Sequence, residues 1–132
     1  MNDRKKIVLV DDEQVNLDYC EAMLSEIGDF DIKTATNGMT GLQLIESEKP
    51  DLVVLDVQMP VLNGFQVFKE LKKNPSTERI PVIMLTGIAS TTGMQYNAKD
   101  MGVTLGAEPQ AYIDKPLDPE DFQKKVKNLL GL

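Results

Sequence analysis

The sequence predicts an α/β domain with a parallel β-sheet that is covered by helices on both faces. Two observations predict this fold class. Short apolar runs alternate five times with segments of helical periodicity, and the runs are almost continuously apolar, as in strands that are buried on both sides. The length of 132 residues, of which 42% are hydrophobic, fits a single domain over residues 1–132 with a buried core.

The first half of the chain contains three predicted strands, and each is followed by a predicted helix. The predicted strands are residues 7–10, 31–36 and 52–55. Apolar side chains recur at helical spacing in residues 14–27, 39–47 and 64–73. Gly28 is a typical helix stop, and Asn37-Gly38 is a typical turn.

The second half contains two further strands and the last helix. We predict a strand over residues 81–85 and a short strand at Tyr112-Ile113. Between them lie a Gly/Ser/Thr-rich loop, residues 87–93, and a short helix, residues 94–101. The last helix has strong start signals, because Asp118 suits the N-cap and Pro119 suits the first helical position.

Composition excludes several classes of function. The chain has no histidine and one cysteine, Cys20, so by itself it cannot form a His/Cys zinc site, a Ser-His-Asp triad or an intramolecular disulfide. The chain shows no signal peptide and no apolar run of about 18 residues, which favours a cytoplasmic location without a membrane span. The formal charge of −7 disfavours direct binding to nucleic acids, and no nucleotide-binding glycine motif is present.

Charged and polar side chains follow the predicted strands where each strand ends. Asp11 and Asp12 follow the first strand, Asp56 the third, Thr86 the fourth and Lys115 the fifth. Ligands of open α/β sheets bind beyond the carboxyl ends of the strands. We therefore expect these side chains to share one edge of the sheet.

Three carboxylates at one edge predict a magnesium site. Ionised carboxylates a few ångströms apart repel each other, and a hard divalent cation with oxygen ligands relieves this repulsion. A carboxylate can also attack phosphorus and form an aspartyl phosphate, a reaction that depends on positioning and charge neutralisation. Asp56 needs no general base for this attack, so the absence of histidine is compatible with it.

Five segments of the chain resemble the receiver domain of two-component response regulators, the CheY-like family. The segments follow the family's order and together cover nearly the whole chain. They are residues 7–13 (IVLVDDE), 37–38 (NG), 51–60 (DLVVLDVQMP) with Gly64, 81–86 (PVIMLT) and 112–116 (YIDKP). The resemblance implies a flavodoxin-like fold with five parallel strands in the order 2-1-3-4-5.

The resemblance also implies roles for the acidic residues. Asp56 would be the phosphoacceptor. Mg²⁺ would be held by Asp11, Asp12, Asp56 and the backbone carbonyl of Gln58. The phosphodonor would be a phosphohistidine of a sensor histidine kinase or of a histidine phosphotransfer protein.

Three further residues would act after phosphorylation. Lys115 would pair with Asp56 and then with the phosphoryl group, and Thr86 would bind a phosphoryl oxygen. Tyr112 would then turn into the space that Thr86 vacates. The output would be a contact with another protein. The only enzymatic activity would be Mg²⁺-dependent self-phosphorylation and slow autodephosphorylation.

The chain departs from the family pattern between Thr86 and Lys115. This interval is several residues longer than is typical, and the extra length falls in residues 102–110. Ile88, two residues after Thr86, offers no hydrogen bond to a hydrolytic water, so we predict a long-lived phosphoryl group.

Two alternatives remain open at this point. The chain could be a pseudo-receiver that binds partners without phosphorylation, as the altered 102–110 segment suggests. It could also be a small Mg²⁺ phosphohydrolase, although the position two residues after the nucleophile is Gln58 rather than an acid. The sequence is compatible both with a standalone regulator and with a receiver from a longer chain.

Overall fold

The structure, a computed structural model, describes residues 4–59, 61–86, 110–114 and 117–132. Five parallel strands form one sheet in the order β2-β1-β3-β4-β5, which confirms the order that the resemblance implied. The strands are β1 (Lys6–Val10), β2 (Asp31–Ala35), β3 (Leu52–Asp56), β4 (Val82–Thr86) and β5 (Ala111–Asp114). The helices in the described residues are α1 (Gln14–Ser25), α2 (Gly38–Glu48), α3 (Gly64–Lys73) and α4 (Pro119–Leu130).

The middle of the sheet is the most buried part of the described chain. Every residue of β3 and β4 is buried, and only Lys6 of β1 is not. The edge strand β2 instead exposes Lys33 and Thr34. This contrast explains why the central strands are continuously apolar, since both of their faces are covered by helices.

Two apolar layers lie on opposite faces of the sheet, because successive side chains of a strand point to opposite faces. One layer joins alternate strand residues to α2 and α3, with Val8, Val53, Ile45, Phe68 and Leu71 among its members. The other joins the remaining strand residues to α1 and α4, with Ile7, Val54, Leu24, Phe122 and Val126 among its members. Cys20 is buried in this second layer and packs as a small apolar residue.

Most of the predicted helix boundaries agree with the structure. Asp118 is the N-cap of α4, and its side chain accepts a hydrogen bond from the Asp121 N–H. Helix α1, however, ends at Ser25, before the predicted stop at Gly28. Gly28 does not have a positive φ, and a Cβ there would lie 2.9 Å from the ring of Phe30. Gly28 thus gives room to Phe30 rather than capping the helix.

Some predictions fall on residues that the structure does not describe. The predicted loop 87–93, the short helix 94–101 and residues 102–109 of the long segment lie outside the described residues, as do Ile88 and Lys115. Among the residues that are described, no helix combines the length and the apolar content that crossing a membrane requires.

Candidate functional site

Three carboxylates meet at the carboxyl edge of the sheet. Asp11, Asp12 and Asp56 each offer an oxygen, and these oxygens all lie within 4.8 Å of one another. The pairing of β1 with β3 causes this, because Val10 and Leu55 are partners in the parallel register and the aspartates follow them. The side chains of Asp11 and Asp56 are buried, whereas Asp12 is exposed.

Local backbone hydrogen bonds hold Asp11 in place. Its N–H donates to the carbonyl of Ala35 at 3.1 Å, which continues the pairing of β1 with β2. Its Oδ1 accepts from the N–H of Glu13 at 3.0 Å and from the side-chain amide of Asn16 at 3.5 Å. These donors stabilise a buried negative charge at the start of α1.

Asp56 is the last residue of β3 and is held between two strands. Its partner in β4 is Leu85, and the carbonyl of Leu85 accepts from the N–H of Val57 at 3.0 Å. Oδ1 of Asp56 accepts a hydrogen bond from the N–H of Gln58 at 3.3 Å. The backbone of Gln58 therefore lies beside the carboxylate, where its carbonyl stays a predicted metal ligand.

A glycine packs against the backbone of Asp56. The N–H of Gly64 donates to the carbonyl of Val57 at 3.0 Å, so α3 begins next to the end of β3. A Cβ at Gly64 would collide with the Asp56 carbonyl oxygen and would lie 2.8 Å from Cα of Val57. The site thus depends on a glycine at this position, which the sequence singled out only as part of the resemblance to the family.

The loop between β3 and α3 is fixed at its second end by a capping box. Asn63 accepts from the N–H of Gln66 at 3.0 Å, and the side chain of Gln66 accepts from the N–H of Asn63 at 2.8 Å. Within this closed loop Val61 has a φ of 68°, in the left-handed region that β-branched residues rarely adopt. Its side chain is 96% exposed.

Two further predicted site residues, Thr86 and Tyr112, lie on β4 and β5. Thr86 ends β4, is buried, and pairs with Asp114 in the register of the sheet. Tyr112 is half-buried and packs against the apolar layer that contains α2 and α3. Lys115 follows Asp114 directly in sequence, and its place in the structure lies outside the described residues.

Comparison with known proteins identifies the family. A family model described as "Response regulator receiver domain" matches residues 7–127. Protein PilH of Pseudomonas aeruginosa is 38% identical over 126 residues, which cover 96% of this chain and 98% of PilH. The probable transcriptional regulator ycf27 of Cyanophora paradoxa is 38% identical over 127 residues. The match covers 96% of this chain but 48% of ycf27, so the chain spans about half the length of such relatives.

Solved structures agree with this assignment. A putative response regulator from Chloroflexus aurantiacus superposes with a TM-score of 0.81 at 28% identity, covering 98% of this chain and 99% of the other. The receiver domain of the sensor histidine kinase PA1611 from Pseudomonas aeruginosa superposes with a TM-score of 0.79 at 25% identity, covering the same shares. That domain was solved with a magnesium ion coordinated in its active site cleft.

Proposed function

Because the chain belongs to the response regulator receiver domain family, we propose that it carries a phosphoryl group on Asp56 in two-component signalling. The donor would be a phosphohistidine on a sensor kinase or on a phosphotransfer protein. The observation that supports this role best is the buried Asp56 carboxylate, with the carboxylates of Asp11 and Asp12 within 4.8 Å of it.

The transfer is a single exchange of bonds at phosphorus. A carboxylate oxygen of Asp56 forms the new O–P bond while the P–N bond of phosphohistidine breaks, and its electron pair stays on the imidazole nitrogen of the donor. The hydrogen bond from the Gln58 N–H holds the Asp56 carboxylate in place. No proton leaves Asp56, because it attacks as an ionised carboxylate.

The donor set at this edge fits a magnesium ion. Mg²⁺ takes oxygen ligands and is commonly held by one or two carboxylates together with phosphate oxygens. Asp11, Asp12, Asp56 and the backbone carbonyl of Gln58 would hold it. When bound, it supplies positive charge that offsets the repulsion among the carboxylates and the charge of the incoming phosphoryl group.

Lys115, Thr86 and Tyr112 would complete the response. Lys115 would pair with the phosphoryl group as a compact cation, and Thr86 would donate its hydroxyl to a phosphoryl oxygen. Tyr112 would then move toward the space that Thr86 leaves. The pairing of Thr86 with Asp114 supports this arrangement, because Lys115 is the next residue along the chain.

The experiment is phosphorylation with acetyl phosphate and Mg²⁺, followed by intact mass measurement. We expect a species about 80 Da heavier, the mass of one phosphoryl group. The species should be absent from Asp56→Asn and present in Asp18→Asn, which makes the same change at an exposed position of α1. If neither acetyl phosphate nor a histidine kinase yields an Asp56-dependent product, the chain is a phosphorylation-independent interaction module.

Three further expectations concern phosphatase activity, the output partner and the location of the chain. Turnover of a generic phosphate ester that depends on Asp56 would instead support a phosphohydrolase. The output partner would be a protein rather than nucleic acid, given the acidic charge of −7. A cytoplasmic location is part of the proposal, because a single cysteine suits a reducing compartment.

A further inference from the structure

Gln110 makes an unusual pair of hydrogen bonds at the start of β5. Its side-chain Oε1 accepts from the N–H of Val82 at 2.8 Å. Its own N–H donates to the carbonyl of Val82 at 3.0 Å. Both backbone groups of the first residue of β4 are therefore bound by one residue that lies just before β5.

The side chain of Gln110 takes a place that backbone normally fills. In a regular parallel ladder the N–H of one strand donates to a backbone carbonyl of its neighbour. Here the N–H of Val82 donates to the side-chain amide oxygen of Gln110 instead of to a backbone carbonyl. Pairing at this end of β5 therefore requires no backbone carbonyl from a residue before Gln110. Val82 is fully buried, so its N–H depends on this acceptor rather than on water.

The short length of β5 makes this anchor important for register. Ile113 packs in the apolar layer of α1 and α4, whereas Tyr112 packs in the layer of α2 and α3. A slip by one residue would exchange these faces and is opposed by packing. A slip by two residues keeps each face, so packing opposes it less strongly, and the ladder together with the Gln110–Val82 pair then has to hold the register.

We propose that Gln110 is a positioning residue that fixes the register of β5, and through it the pairing of Asp114 with Thr86 at the end of the strand, from which the chain continues to Lys115. The inference rests on the proposed function in one respect, namely the role of Lys115. It also bears on the long interval between Thr86 and Lys115, because the register of β5 would then not depend on the length of that interval. The pairs Ile83–Ala111 and Thr86–Asp114 are set from Gln110 onward, whatever the length of the chain before it.

The test compares Gln110→Leu, which removes the acceptor at similar size, with Gln110→Glu, which keeps acceptor oxygens. Gln110 is exposed, so both side chains can be accommodated. We expect hydrogen exchange of the protected β5 amides to be about tenfold faster in Gln110→Leu than in the wild type, because the strand opens more easily. Gln110→Glu should retain most of the protection.

The functional measurement is the rate of Asp56 phosphorylation by acetyl phosphate, alongside Mg²⁺ affinity from isothermal titration calorimetry. In Gln110→Leu we expect the rate to fall about tenfold, which is less than the roughly 100-fold or greater cost of removing a stabilising group outright, because Lys115 itself is retained; Mg²⁺ affinity should be unchanged. The affinity should not change because Asp11, Asp12 and Asp56 lie at the carboxyl ends of β1 and β3 rather than on β5. Gln110→Glu should be phosphorylated at close to the wild-type rate.

Three results would overturn the proposal. They are equal β5 exchange in the Leu and Glu variants, a wild-type phosphorylation rate in Gln110→Leu, and a parallel loss of rate and Mg²⁺ affinity, which would indicate general loosening. If the wild type itself is not phosphorylated at Asp56, the proposed function fails. The exchange measurement would then still show whether the side chain of Gln110 holds β5 against β4.

Discussion

Asp11 and Asp56 are both buried, and their carboxylate oxygens lie within 4.8 Å of each other although they follow different strands. Such a pair is unfavourable when both groups are ionised and no cation lies between them. The fold therefore brings like charges together at the point where its chemistry is proposed to occur. Four predictions concern this arrangement and the loops around it.

Removing one of the crowded charges should stabilise the domain when no metal is present. We expect Asp56→Asn to raise the free energy of unfolding by about 1 kcal/mol in EDTA, because repulsion with Asp11 and Asp12 is relieved. Saturating Mg²⁺ should shrink the gain, because binding to the native wild type stabilises it. Urea denaturation measures both values, with Asp18→Asn as the control. Equal stability of wild type and Asp56→Asn in EDTA would contradict the prediction.

Adding one methyl group at Gly64 should disturb the site. Gly64→Ala places a Cβ against the Asp56 carbonyl, and backbone cannot yield as a side chain can. We expect the free energy of unfolding, measured by urea denaturation, to fall by about 1–3 kcal/mol, the usual range for overpacking. The control is Gly28→Ala, whose Cβ would meet only the movable ring of Phe30. A Gly64→Ala loss no larger than the Gly28→Ala loss would show that the close approach is unimportant.

The strained backbone at Val61 should be improvable by substitution. Val61→Asn replaces a β-branched residue at positive φ with one that tolerates this conformation. We therefore expect the free energy of unfolding to rise by about 1 kcal/mol. Val15→Asn is the matched control, because Val15 is also exposed but lies in a regular helix. Thermal and urea unfolding of both variants provide the measurement. The explanation by strain does not survive if Val15→Asn gains as much as Val61→Asn.

The residue two positions after Thr86 should control the lifetime of the phosphoryl group. Ile88→Asn introduces a side chain that can hydrogen-bond a hydrolytic water, so we expect dephosphorylation at least several-fold faster, within the range of general acid–base assistance. Loss of the heavier species after removal of acetyl phosphate gives the rate. Ile88→Val, which keeps an apolar branched side chain, is the control. An unchanged rate in Ile88→Asn would refute the prediction.

The sequence predicted the features that depend on local pattern. Apolar runs located four of the five strands, the exception being β2, where only Ile32 and Ala35 of the predicted residues 31–36 are apolar. The acidic residues at the carboxyl ends of β1 and β3 were correctly expected to meet, because carboxyl ends of parallel strands share one edge. Asp118 was identified as an N-cap because capping depends on a few neighbouring residues. The roles of all the predicted site residues stay predictions, including that of Asp56 as phosphoacceptor.

Features that depend on contacts between distant segments were not predicted. Gly28 was expected to cap a helix, and only the folded chain brings the Phe30 ring against it. The need for glycine at position 64 arises from the end of β3, and the bond from Val82 to Gln110 joins residues far apart in sequence. Neither the strain at Val61 nor the anchor at Gln110 leaves a periodic signal.

The loop after β3 combines opposite degrees of mutational tolerance within four residues. Val61 is almost fully exposed and has a backbone conformation that valine disfavours. Nearly every replacement should therefore cost little stability, and many should increase it. Gly64 accepts no side chain without moving the backbone of Asp56. A saturation library of this loop should therefore tolerate most substitutions at position 61 and none at position 64. During evolution the residue at position 61 can change freely, whereas the glycine at position 64 has to stay.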